Sequence, residues 1–500
     1  MGVSVLSKQF LPYGLEDLPA ILEAPRAAPR AELSAGLVAY LKRIGAPRAS
    51  LEAAQQLAHP GSRVIVTGQQ AGLLTGPAYT FYKAHSAITL AAEQTTPERP
   101  VVPMFWVASQ DHDTEEIRSA ELLDFDERVY ALSLGLPPAR PAGRIPFAPY
   151  FKEVHDLLHQ FGGLPEVRER LCQALLGSWS YAEVFARLLA EFLGARGLVI
   201  LDPMAPELAH LFAPALQREI ENPLDSSEAI NRTAEAMRKA GLEVILGRGE
   251  AATNLFLEGD DGVRRLLRWR EGRFEDGEKT YSKSELLGLL EAAPSRITPA
   301  AGLRPVVQDT VLPTAGFVVG PGELKYVSEL GGVYALHGLT HPAVIRRMGV
   351  TVLEPPVVRI LEKYGLEPWA FQADPDGLFK QALAGQDETV QKLRSHLSNI
   401  QTEFEAVKEL LPDPTLQRPR HRASMRVGHE IERLERKLLD AALRQENTVG
   451  TQFARLQRHL VPKVPQERHY PFLMYLLKHG EIVLRRLEGL PASGNHTLAI

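Results

Sequence analysis

Two apolar stretches bracket a glycine-rich turn, and that order limits what this chain can fold into more than any other feature. Val64-Ile65-Val66-Thr67 is β-branched, and Gly68-Gln-Gln-Ala-Gly72-Leu-Leu-Thr-Gly76-Pro77 follows it. Residues 78–92 suit a helix, and Arg99–Ser109 is a near-continuous apolar run. Strand, glycine turn, helix and buried strand make a βαβ unit, and apolar runs of this kind belong to parallel strands covered on both faces. The turn has two readings. It can free backbone amides at a helix N-terminus for an anion, through Gly68 and Gly72. It can also be a tight turn with Pro77 at the first helical position. No Gly-Lys-Ser/Thr follows, so it is not a Walker A loop, and its spacing is not that of a dinucleotide fingerprint.

The pattern continues. Gly197–Asp202, Leu242–Leu246, Arg304–Asp309, Phe317–Gly320, Ala343–Ile345 and Val350–Leu353 read as further strands, with helices over 31–60, 205–220 and 227–241. This alternation predicts a doubly wound, Rossmann-like α/β core over residues 1–375. Residues 120–150 and 248–285 break it and read as β-rich inserts. From Val390 the spacing changes: Leu393, Leu397, Ile400, Phe404, Val407 and Leu411 recur at helical intervals. After Pro412–Pro414, Val427, Ile431, Leu434 and Leu438 repeat the period. Residues 376–460 are therefore expected to form an antiparallel α-helical coiled coil whose seam favours a homodimer. Residues 461–500 are expected to return to the core.

Length sets about three domain-sized units. The net charge of −5, with no dense basic block, argues against nucleic-acid binding. No apolar run reaches a membrane span, and Met1–Phe10 lacks a signal-peptide pattern. The single cysteine, Cys172, fits a reducing, cytoplasmic setting and reads as a buried structural thiol. No tightly bound metal is expected.

In an open α/β sheet ligands gather beyond the carboxyl ends of the strands. Gln69 and Gln70 lie at one such end, and Ser109-Gln110-Asp111-His112-Asp113 at the next. His112 can exchange a proton near neutral pH, with Asp111 and Asp113 to orient it. Asp113 with Glu116 also matches a helix capping box. Tyr82 and Lys83 sit on the helix after the first turn. A third cluster, Arg304 to Tyr326, is punctuated by proline and glycine. There Arg304 and Lys325 suit a carboxylate or phosphate, while Gln308, Asp309 and Glu323 suit amines or hydroxyls. Surface charges on a shaped turn are the plainer reading of that cluster.

Taken together, Val66–Pro77, Phe105–Asp113, Arg304–Asp309, Gly320–Glu323 and Gln466–Arg468 resemble the signature segments of the bacillithiol biosynthesis cysteine-adding enzyme family, BshC. The resemblance runs from about residue 60 to residue 480. It implies a cysteine ligase with a Rossmann-like core, connecting inserts and a dimerising coiled coil. The implied reaction is the last step of bacillithiol synthesis, joining L-cysteine through its carboxyl group to the amine of glucosaminyl-malate. ATP, with Mg, is the expected activator. Asp111, His112, Gln69 and Gln70 then carry the chemistry, with Asp111 or His112 as the base. Gly68, Gly72, Tyr82, Lys83, Ser109, Asp113, Arg304, Gln308, Asp309, Glu323 and Lys325 bind substrate. Gln466, Glu467 and Arg468 touch the nucleotide. A ligase or nucleotidyltransferase for another small acid, and a non-enzymatic metabolite-binding scaffold, remain the alternatives.

Overall fold

A computed structural model describes residues 8–386, 388–411, 413–444 and 448–500. Most of the signal-peptide window and Pro412 of the interhelical break lie outside them. Five parallel strands form the central sheet: β1 (Arg63–Gln69), β2 (Val101–Val107), β3 (Val199–Leu201), β4 (Thr314–Val319) and β5 (Ala343–Arg346). Their spatial order is β5-β4-β1-β2-β3, so the winding reverses between β1 and β4. That reversal is the topological switch point of a doubly wound sheet. Strands β2 and β4 are buried along their whole length, as their unbroken apolar sequences require.

Helix α1 (Tyr79–Gln94) joins β1 to β2. Its Ala87, Leu90 and Ala91 share one core cluster with Ile65, Val101, Ala315 and Ile345. Trp106 and Phe317 meet other partners: Phe212 lies 5.4 Å from the Trp106 ring, and the Arg304 guanidinium lies 5.6 Å from Phe317. Both inserts are β-rich. Ser119–Leu123 pairs with Val129–Ser133, and a five-stranded sheet is built from Ala252–Glu258, Arg264–Arg270, Arg273–Glu275, Thr280–Tyr281 and Ile297–Pro299.

The structure corrects two strand assignments. Arg304–Val311 is a helix, α2, because Pro305 occupies its first turn and Val306, Val307 and Val311 turn inward. Leu242–Leu246 is irregular. The amides of Ile245 and Leu246 donate to the Glu329 carboxylate (2.7 and 3.1 Å), where a strand would use a neighbouring backbone. The helix expected over 31–60 is two, Arg30–Arg43 and Arg48–Gln56, parted around Gly45 at φ +76°.

The chain divides after Val350, ahead of the boundary expected at 375. The first unit runs to Val350 and also contains Tyr470–His496; Phe472 stacks on Phe81 of α1 at 4.7 Å. The second unit comprises Thr351–His469 and Thr497–Ile500. Its core gathers Phe371, Phe379, Val390, Leu439, Phe453, Leu456 and Leu460. Within it Glu388–Leu410 and Gln417–Arg444 run antiparallel, tied by Arg394–Glu435 at 2.5 Å and Arg420–Glu405 at 2.8 Å. On the second helix Leu439 is buried, while Leu434 and Leu438 of the expected seam are exposed. Among the described residues no helix is long and apolar enough to cross a membrane.

Gly68 pairs with Trp106 across β1 and β2, and a Cβ there would lie 2.8 Å from the Trp106 carbonyl oxygen. The glycine serves strand packing. Gly68→Ala is expected to cost about 1–3 kcal/mol of stability, read by denaturant unfolding; an unchanged midpoint would contradict this close approach.

Candidate active site

Three amides of the glycine turn are spent within the protein. The Gly72 amide donates to Gln70 O (2.8 Å), that of Gly76 to Leu73 O (2.9 Å) and that of Ala78 to Tyr470 O (2.8 Å). Leu74 and Thr75 take left-handed φ values of +51° and +69°, and Gly72 and Gly76 lie so close that a Cβ on Gly72 would meet the Gly76 Cα at 2.7 Å. The loop thus folds onto itself. What faces the switch point is the pair of glutamines before it.

A relay of side chains crosses the carboxyl edge of the sheet. At its start Lys83 of α1 is buried and ion-paired with Glu323, from helix α3 (Pro321–Val327) after β4. Lys83 Nζ also donates to Gly68 O (2.9 Å) and Gln69 Oε1 (3.0 Å). Gln69 Nε2 donates to Gln70 Oε1 and to the Tyr79 hydroxyl, each at 3.2 Å. Gln70 Nε2 then donates to Asp111 Oδ2 (3.1 Å) and Glu116 Oε2 (2.6 Å). The twin-glutamine turn and the Asp-His-Asp turn therefore meet.

Charge is divided along this relay. Burial pushes the Lys83 ammonium below its ordinary lysine value, against the pull of Glu323, and Arg347 and Arg304 push the same way. Arg347 follows β5 directly and lies 5.1 Å from the Tyr79 ring, which Lys83 also flanks at 5.8 Å. Arg304 donates to Gln308 Oε1 (3.1 Å) and the Tyr326 hydroxyl (3.3 Å), and burial pushes that phenol up to about 12. Three cations thus surround one carboxylate at the β4–β5 end. At the β2 end two carboxylates, Asp111 and Glu116, share one amide. Burial raises the Glu116 carboxyl, and Asp111 and Asp113 add to the rise against the Gln70 hydrogen bond.

His112 has a partner the sequence did not suggest. Arg264, from the inserted sheet, places Nη1 2.9 Å from His112 Nδ1, and its other nitrogens donate to Thr298 Oγ1 and Pro299 O, both at 2.8 Å. A guanidinium can only donate, so Nδ1 accepts and the neutral ring carries its proton on Nε2. Burial, then the Arg264 charge, lowers the His112 pKa, with Asp111 and Asp113 opposing. Burial also pushes the Arg264 guanidinium down to about 10. Phe256 supports both groups, 3.9 Å from the guanidinium and 5.3 Å from the imidazole.

Several expected contacts are structural. Asp113 caps the short helix Thr114–Ile117 through the Glu116 amide (3.4 Å). The Tyr82 ring is buried edge-on against Phe472. Ser109 is buried and donates to Asp202, which also accepts from the Met204 amide (2.8 Å). Gln308 is buried and donates to Asp309 (3.0 Å). Asp309 also accepts from Thr314 and Tyr334, each at 2.7 Å, so its oxygens are taken. Lys325 points outward to Glu243 (2.7 Å). In the helical unit both side-chain ends of Gln466 bridge backbone, at Val352 N (2.7 Å), Val352 O (2.9 Å) and His459 O (2.8 Å), leaving nothing for a nucleotide. Glu467 and Arg468 follow it in the four-residue helix Gln466–His469. Sequence reasoning missed Tyr79, Arg264, Tyr326 and Arg347, and gave Glu116 only a capping role, whereas its side chain accepts from Gln70. Only Arg347, next to a strand end, carried a signal.

A parallel sheet wound in this order, with its polar cluster at the reversal, defines a Rossmann-like α/β protein. Residues 16–348 match the family description "Bacillithiol biosynthesis BshC, N-terminal Rossmann-like domain", and residues 350–500 match "Bacillithiol biosynthesis BshC, C-terminal coiled-coil domain". The chain belongs to the bacillithiol biosynthesis BshC family. It is similar to proteins named "Putative cysteine ligase BshC". One from Thermus thermophilus is 49% identical, over 98% of this chain and 97% of that one. One from Salinibacter ruber is 33% identical over 93% and 87%, and one from Bacillus cereus is 29% identical over 93% and 90%.

Arg264→Met removes one of the two influences that lower His112. The His112 pKa is expected to rise toward its ordinary value of about 6.5, followed by imidazole NMR titration; an unshifted titration would contradict the Arg264 contact.

Proposed function

We propose that this chain is a cysteine ligase that joins the carboxyl group of L-cysteine to the amine of glucosaminyl-malate, closing bacillithiol biosynthesis with ATP as activator. The observation that carries this reading is the split charge of the crevice. A substrate with malate carboxylates at one end and an amine at the other matches three cations at the β4–β5 end and two carboxylates at the β2 end. Arg304 and Arg347 hold the malate anion, with Arg304 suited to bidentate contact, and Lys83, whose three donors are spent on Glu323, Gly68 O and Gln69 Oε1, contributes its charge alone. Asp111 and Glu116 receive the amine.

Amide formation requires the cysteine carboxyl to be activated, and ATP supplies that by phosphoryl or nucleotidyl transfer. The amine nitrogen then forms the C–N bond, the activated C–O bond breaks, and the nitrogen's proton passes to Asp111 or Glu116. The raised Glu116 carboxyl makes it the better acceptor. His112 is reassigned from base to donor. With Nδ1 engaged by Arg264, its Nε2–H can stabilise charge that develops on the acyl oxygen.

We assign the cytoplasm as the setting, in keeping with the single buried thiol. Homodimerisation through the helical unit is part of the same reading: Val407, Leu410 and Leu434 are 39%, 77% and 47% exposed in one chain, apolar surface that a second copy would cover.

The test is incubation of the purified protein with glucosaminyl-malate, cysteine and Mg-ATP, with products identified by mass. The expected product is the condensed amide, with nucleotide release tracking cysteine consumption. His112→Ala is expected to lower kcat by about 10²–10³ while leaving the fold intact. Ligation without ATP, or an unaffected His112→Ala, would contradict the mechanism. Tight binding without turnover would point to a metabolite-binding scaffold.

A further inference from the structure

Away from the sheet, helices Phe151–Phe161 and Pro165–Leu175 follow one another as a hairpin. Gly162 and Gly163 turn the chain between them with φ of +79° and +70°, a conformation glycine reaches without strain. His155 and His159 are one helical turn apart and so share a face. Cys172, the only cysteine of the chain, returns to them from the second helix. One ligand atom each from His155, His159 and Cys172 lie within 4.8 Å of one another. The two imidazoles stand 4.3 Å apart, tilted by 40°, and His155 is backed by the Phe151 ring at 5.6 Å. The Asp156 carboxylate lies 3.8 Å from His155 Nδ1, within reach to orient that ring.

We propose that His155, His159 and Cys172 form a binding site for a divalent transition-metal ion of the zinc class, with water as the fourth ligand. Two imidazoles and a thiolate are the donor set such ions prefer, whereas magnesium and calcium require oxygen ligands. Histidines at i and i+4 present both rings to one ion from a single helix face. The thiol is buried, His155 is half-buried and His159 is exposed, so an ion can enter from solvent on the His159 side. Bond lengths of about 2.0–2.3 Å bring tetrahedral ligand atoms closer than 4.8 Å, and rotation of the exposed His159 side chain closes that gap. On binding, the Cys172 S–H bond breaks, a sulfur–metal bond forms and one proton leaves to solvent. The ion would clasp the hairpin. The sequence reading, which expected no bound metal, could not foresee it, because the cysteine is remote from both histidines until the hairpin folds.

The test uses the full-length protein stripped by a chelator and titrated with Co²⁺. The expected result is one equivalent bound, with a thiolate-to-cobalt charge-transfer band in the near ultraviolet and tetrahedral bands in the visible. Cys172→Ser is expected to abolish the charge-transfer band. His159→Ala, at an exposed position that leaves the fold intact, is expected to weaken binding by at least about tenfold. Zn²⁺ should displace Co²⁺ and raise the melting temperature of the parent protein but not of His159→Ala. A missing charge-transfer band, or equal Co²⁺ affinity in the parent and both variants, would overturn the assignment.

Discussion

The ammonium of Lys83 fixes the polarity of the whole carboxyl edge. An ammonium has donors and no acceptor, so Gln69 must turn its carbonyl oxygen toward it. The Gln69 amide nitrogen then faces Gln70 Oε1, and the Gln70 nitrogen is left facing Asp111 and Glu116. A charge this deeply buried would cost several kcal/mol if unpaired. Glu323, Gly68 O and Gln69 Oε1 together offset that cost. Glu323 is itself held by the Gly320 amide at 2.7 Å, where β4 gives way to helix α3. The fold and the site are thus joined at one point, the winding reversal between β1 and β4.

From that point the two ends of the relay acquire opposite characters. Arg304 and Arg347 extend the cationic side across β4 and β5, while the inserted sheet reaches the acidic side through Arg264. This explains what the insert does for the core: it delivers a buried guanidinium that sets the tautomer of His112. The guanidinium is anchored at three points, so the imidazole it meets is oriented rather than merely present. A histidine placed in this way donates from Nε2, and in the proposed reaction proton acceptance falls to the two carboxylates that share the Gln70 amide.

The parallel core was legible because Val64–Val66, all of β2 and Phe317–Val319 are unbroken apolar runs, as strands covered on both faces require. The meeting of the Gln69–Gln70 and Asp111–His112 turns was legible for the same reason, since adjacent parallel strands end side by side. Helix α2 was misread because Val306 and Val307 favour strands locally, while Pro305 and tertiary burial decided for helix. Leu242–Leu246 failed for a different reason: its amides are satisfied by the side chain of Glu329, a long-range partner no local pattern announces. Ser109, Gln308 and Asp309 have the right chemistry for ligands, but Ser109 spends it on Asp202, Gln308 on Asp309, and Asp309 on Thr314 and Tyr334 inside the core. Arg264 was invisible, and Glu116 was legible only as a capping partner of Asp113, because their roles depend on where distant segments come together.

The central claim is that the buried Lys83 end of the relay is the anion-binding end of the crevice. Calorimetric binding of glucosaminyl-malate to the parent protein, Lys83→Met and Lys325→Met tests it most directly, because Lys325 sits on the same segment as Glu323 yet points outward to Glu243. The account predicts at least about a tenfold loss of affinity for Lys83→Met, in keeping with the loss of a buried positive charge beside the anion site, and none for Lys325→Met. Equal affinities in all three proteins, with the fold of each intact, would contradict it.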